Sequence, residues 1–179
     1  MADFTRAAGT EGPWASAGGS CVPAARAAAG GQVVVLPAVT IEDVARLGLP
    51  PARATLEPGT GDVVLNVPVN VFADTGPVVR ETELLGFPVT IRATPVSFTW
   101  TFGDGTTLGP TADPGAPWPA MTTTHTYTTP GTYEVALTTT WTATASVAGL
   151  PPEPVPGTVD VATAVGTLTA RAGTTVLTR

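Results

Sequence analysis

The chain has 179 residues with 14 acidic and 8 basic side chains, the bases all arginine, for a formal net charge of −6. The arginines are scattered and form no basic patch, which speaks against nucleic-acid binding, since that rests on clustered Lys and Arg. One cysteine, Cys21, and one histidine, His125, exclude an internal disulfide, a zinc finger and an iron–sulfur cluster within the chain.

Residues 1–32 are rich in Ala, Gly and Ser without periodicity. Such a stretch cannot bury enough apolar surface to offset its ordering entropy, so a flexible leader is expected. Trp14 in it is expected to be exposed. Gly18-Gly19 and Gly30-Gly31 lack the strand and spacing of a dinucleotide cradle. The leader also lacks the basic and apolar regions of a secretory signal. The longest nearly apolar run, 33–39, falls far short of the ~20 residues that span a bilayer, so no membrane insertion is expected.

Residues 33–59 are expected to hold a short helix and a linker. Thr40 is a candidate N-cap with Asp43 three residues on, and Ile41, Val44, Ala45 and Leu49 give one apolar face. Pro50-Pro51 stops the helix. From residue 60 to 179 the period is two, as in strands. A long strand is predicted over 63–72, with Leu65, Val67, Val69 and Val71 on one face; Pro68 places it at a sheet edge. A weaker strand candidate covers 78–85.

Val89, Ile91 and Ala93 form one alternating set and Val96, Phe98, Trp100 and Phe102 a second, read as separate strands. Asp104-Gly105 ends the second with a turn that favours positive φ. A long loop over 106–120 follows, then a short strand over 122–128. Tyr133, Val135, Leu137, Thr139 and Trp141 lie on one face of the next strand. After a Pro-rich break at 149–157, strands are predicted over 159–165 and 168–177. About seven strands at roughly 8–15 residue spacing argue for an all-β, immunoglobulin-like antiparallel β-sandwich, preceded by a short helix and leader.

The pattern Val96-x-Phe98-x-Trp100-x-Phe102-Gly103-Asp104-Gly105, then His125-x-Tyr127, then Gly131-x-Tyr133-x-Val135-x-Leu137 resembles the PKD domain, named after polycystic kidney disease. The motif core spans 77–147. The stretch 63–141, including Pro117-Trp118-Pro119, is similar to a group of small exported actinobacterial PKD proteins. The resemblance implies a sandwich used at cell surfaces for protein or polysaccharide contact, without a catalytic role. It also implies a secreted or cell-envelope location.

The motif side chains carry mostly structural expectations. Trp100, with Phe98 and Phe102, should plug the core. Tyr127 and Tyr133 should pack at a sheet corner with bonded hydroxyls, an expectation by analogy. Asp104 is expected to cap its own turn; the alternative is a weak calcium ligand with Asp113 and Asp74 as helpers. No cofactor is expected. His125 lacks a nucleophile elbow, although Ser97 and Asp160 are conceivable triad partners. Glu81 and Glu83 stand about 7 Å apart on one strand face, a glycosidase-like separation, but carry the expectation of a solvated edge.

Trp118, between Pro117 and Pro119, is the candidate partner-binding residue; the alternative is that it folds back over a sheet edge. The leading expectation is a non-catalytic extracellular or cell-envelope interaction module that presents this loop to a protein or cell-wall polysaccharide. A structural assembly subunit, of a surface filament or phage particle, is the second. It would pair through the 63–72 edge, with Val69 and Val71 as the positions to test. An accessory fragment of a secreted hydrolase is the third.

Overall fold

The computed structural model describes residues 36–59, 61–74 and 76–173. The predicted leader, and Trp14 with it, lies outside the described residues. Helix α1, Ile41–Arg46, starts with a reciprocal cap: the Thr40 hydroxyl accepts the Asp43 amide, and the Asp43 carboxylate accepts the Thr40 amide. Gly48, at φ +66°, ends the helix before Leu49.

Nine strands follow among the described residues. They are β1 (Ala54–Glu57), β2 (Gly61–Val64), β3 (Pro68–Ala73), β4 (Val78–Leu84), β5 (Phe87–Thr101), β6 (Thr107–Thr111), β7 (Thr124–Thr126), β8 (Gly131–Val147) and β9 (Glu153–Arg171). One sheet has the order β1-β3-β7; the larger has the order β2-β9-β8-β5-β4, with β6 also on β5. The immunoglobulin-like sandwich read from the sequence is therefore present.

The predicted 63–72 strand divides in two. Asn66 takes φ +62°, and the chain passes from β2 in the larger sheet to β3 in the smaller one. Pro68 stands at the first position of β3, where its missing N–H is harmless. β3 pairs with β1 on one side and β7 on the other, so it is interior rather than an edge. Val69 and Val71 are buried, and a charge at either would disrupt the core. β1 itself lies within the stretch read as linker, and β6 within the stretch read as loop.

The two sets of alternating residues read as separate strands are one strand, β5. Its register with β8 shifts between Pro95 and Ser97. One extra residue, Val96, switches the parity, so Val89, Ile91 and Ala93 share the inner face with Phe98 and Trp100. Val96 itself is exposed, against its predicted place with Phe98. β8 alternates without interruption, with Val135, Leu137, Thr139, Trp141, Ala143 and Ala145 all buried. β9 starts inside the predicted break, at Glu153, and runs as one strand through the predicted 159–165 strand into the next, with shifts opposite Val135/Ala136 and Trp141/Ala143.

The smaller sheet covers one half of the long strands, where Leu56, Val69 and Val71 join Phe98, Trp100, Leu137 and Leu168 in one core. The segment from Leu36 to Arg53 covers the other half. Val44 is 1% exposed, Ile41 lies against Gly157 in the β9 irregularity, and Val39 and Leu47 face Leu84, Val89 and Ile91.

Candidate functional site

The motif residues converge at the end of β5. Gly103 takes φ +76°, and a Cβ there would stand 2.7 Å from the Glu134 amide nitrogen, so only glycine permits this approach to β8. Asp104 Oδ1 accepts from the Thr106 amide at 3.0 Å and hydroxyl at 2.6 Å; its Oδ2 lies 2.8 Å from His125 Nε2. His125 stacks on Phe102 at 4.0 Å and meets Tyr127 edge-on at 4.6 Å. Tyr127 in turn stacks on Tyr133 at 4.5 Å. The Tyr127 hydroxyl donates to the Phe102 carbonyl and the Tyr133 hydroxyl to the Thr129 carbonyl, both at 2.9 Å. Gly131 lies against the Tyr133 ring, and a Cβ there would come within 2.9 Å of its hydroxyl end and displace it.

This continuous stack ties the β5 turn to β7 and the start of β8. Burial opposes ionisation of Asp104, but the bonds from Thr106 and His125 outweigh it and hold the carboxyl below its ordinary range. Burial pushes the Tyr127 phenol up to about 12. The groups that would make a triad are not gathered. Ser97 pairs with Thr140 in the larger sheet, where the Thr140 hydroxyl donates to Asp160; His125 pairs with Val69 in the smaller one. Glu81 and Glu83 are exposed on β4.

The three aspartates of the calcium alternative do not converge either. Asp113 Oδ1 accepts the Gly115 amide and Asp74 Oδ1 accepts the Gly76 amide, each at 2.9 Å, while Asp104 is occupied by Thr106 and His125. Among the described residues no three His, Cys, Asp or Glu side chains stand close enough to hold a metal ion.

The loop after β6 is exposed over 117–122 and is held by backbone hydrogen bonds. It crosses the outward face of β3. Ala73 donates its amide to the Pro114 carbonyl at 2.8 Å, and Gly115, at φ +81°, packs so closely that a Cβ would fall 2.3 Å from the Val71 carbonyl oxygen. Asn70 points outward from β3, yet the loop buries it to 1% exposure. Its Nδ2 donates to Glu57 Oε2 at 2.8 Å and to the Ala116 carbonyl at 2.9 Å. Glu57 Oε2 also accepts the Trp118 amide at 3.0 Å.

The Trp118 backbone is thus fixed, while its side chain is 72% exposed. The alternative in which the ring folds back over a sheet is not what is seen. Pro117 and Pro119 are exposed on either side, and Met121 is partly exposed beyond them. Sequence reasoning missed Glu57 and Asn70. Asn70 stood at an outward position of a predicted strand, but Glu57 lay in the stretch read as linker, and Asn70 also reaches a loop 46 residues further along the chain.

Residues 65–148 match the family model of the PKD domain. That family is immunoglobulin-like and non-catalytic, and its members are typically extracellular interaction modules. The PKD segment spans just under half of the chain and holds β3 to β8, the aromatic stack and Trp118. It is not closed by itself: β9 lies outside it and supplies Leu168 and Ala170 to the core, and β1 supplies Leu56 and Glu57. No curated protein and no solved structure gave a match to the chain. Among the described residues no helix is long and apolar enough to cross a membrane.

Proposed function

We propose that this sandwich is a non-catalytic interaction module of the cell envelope or extracellular space, and that it contacts a protein or cell-wall polysaccharide through Trp118. The observation that carries the reading is the contrast between an exposed indole and a pinned backbone. A tryptophan whose loop is already ordered loses little further entropy on binding, and buried Trp anchors dominate the energetics of many interfaces. Pro117 and Pro119 stiffen the presentation. An accessory part of a secreted hydrolase would use the same surface. The assembly reading lacks its original support, since β3 is flanked on both sides.

The test is co-sedimentation of the purified protein with isolated cell walls of the source organism and with insoluble chitin and cellulose. Trp118→Ala should reduce binding more than tenfold on its target, as expected for an anchor of about 2 kcal/mol, with an unchanged melting temperature. Equal sedimentation of both proteins on every matrix, or failure of the parent protein to bind any of them, would overturn this use of the loop for insoluble glycans. Capture of an envelope protein by the parent but not the variant would assign the loop to a protein partner.

A further inference from the structure

We infer that the free edge of β1 is a second binding site, which takes an extended peptide carrying an acidic side chain as an added strand. The edge borders a cleft of about 450 Å³ between the sheets, lined by Pro51, Ala52, Arg53, Ala54 and Thr55 on one side and by Thr163, Ala164 and Val165 of β9 on the other. Its lining holds neither Glu57 nor a residue of the Trp118 loop, and it draws nothing from the reading given to that loop.

The hydrogen-bond parity of the smaller sheet shows where the free groups are. The Asp74 amide donates to the Arg53 carbonyl at 2.8 Å, so residue 53 faces β3. In an antiparallel pair such residues alternate. Ala54 and Leu56 therefore direct their N–H and C=O away from β3. The partner strand agrees: the Val71 and Ala73 amides, opposite Leu56 and Ala54, turn away from β1 to the Thr123 and Pro114 carbonyls. The outward Leu56 carbonyl is taken by the Gly59 amide at 2.8 Å. Among the described residues, Ala54 is left with one donor and one acceptor aimed along the cleft, the arrangement that strand addition uses.

The walls fit a backbone rather than a bulky ligand. Ala52, Ala54 and Ala164 are small, and Thr55 and Thr163 add short polar side chains. Arg53 is exposed and, among the described residues of the lining, carries its one charge, so charge complementarity selects an acidic residue in the incoming strand. With two backbone bonds available at Ala54, binding is expected to be weak and transient.

The experiment uses the full chain, labelled with ¹⁵N, and a capped pentapeptide of alternating valine and threonine around a central glutamate. Titration should shift the amides of Ala54, Thr55 and 163–165 and leave the Trp118 amide in place. A peptide with lysine at the centre should bind about fivefold more weakly, and Arg53→Glu should reverse that order, the scale of one exposed charge pair. Methylation of the peptide nitrogens should abolish the shifts. No shift at millimolar peptide, an unchanged preference in Arg53→Glu, or full binding of the methylated peptide would each overturn the site. Concentration-dependent shifts at Ala54 without peptide, with a dimer in sedimentation, would overturn it in favour of a second copy.

Discussion

Asn70 Nδ2 donates to Glu57 Oε2 at 2.8 Å, and the same carboxylate oxygen accepts the Trp118 amide, so one buried amide connects two strands to the exposed ring. Removing it would strand the Ala116 carbonyl beneath the loop and leave Glu57 Oε2 with the Trp118 amide alone. Asn70→Ala is expected to cost about 1–3 kcal/mol, the penalty of leaving buried polar groups unpaired. It should also speed amide exchange at 115–118 and weaken any binding through Trp118 while the indole itself remains. Urea unfolding and hydrogen exchange check both. Unchanged exchange at Trp118 would show that the loop is held without this network.

Trp100 is fully buried, and its Nε1 has no hydrogen-bond partner among the described residues. Its contribution is therefore apolar packing. Trp100→Ala should destabilise the fold by about 3–5 kcal/mol. Trp100→Phe should cost clearly less, because it keeps much of the aromatic contact and loses no hydrogen bond. Chemical denaturation of the two variants decides this, and similar losses would point to a polar role for the indole.

Much of this architecture was legible because its signals are local. Phe98, Trp100 and Phe102 alternate, and so do the odd residues of β8. The capping pair Thr40 and Asp43 sits at helical spacing. What stayed hidden depends on pairing. Val96 breaks the alternation of β5, so one strand read as two. Asn66 moves the chain between sheets in the middle of an alternating run that otherwise looks unbroken. For the candidate site, Trp118 stood out by composition and its proline neighbours. Its anchors Glu57 and Asn70 did not, since nothing near them in sequence reports a loop that arrives from far along the chain.

Asp104 has a carboxyl held below its ordinary value of 3.8: burial opposes its charge, but the bonds from Thr106 and His125 outweigh that. A group depressed in the native state adds stability that is fully present above its unfolded value and is lost as pH falls through the folded one. Stability should therefore decline below about pH 4, with Asp104 among the causes. Asp104→Asn should be less stable than the parent at pH 6, and the gap should narrow as the pH drops toward 2. Urea unfolding across that range is the measurement. A constant gap would mean that the ionised carboxylate contributes nothing beyond what an amide supplies.

Tyr127 gives the mirror case at alkaline pH. Its phenol is raised from 10.0 to about 12 by burial first, and then by the Asp104 charge and Tyr133. The proton is the one its hydroxyl donates to the Phe102 carbonyl, so the neutral form is the native form. A raised group contributes stability that is complete below its unfolded value and disappears as pH climbs through the folded one. The parent should lose stability progressively between pH 10 and 12. Tyr127→Phe keeps the ring stacked on Tyr133 and edge-on to His125 but lacks the titrating group. It should start less stable at pH 7, by about 1 kcal/mol for the lost hydrogen bond. Its own decline with pH should be shallower, so that the two curves converge near pH 12. Parallel curves from unfolding experiments over this range would refute the assignment of the alkaline transition to Tyr127.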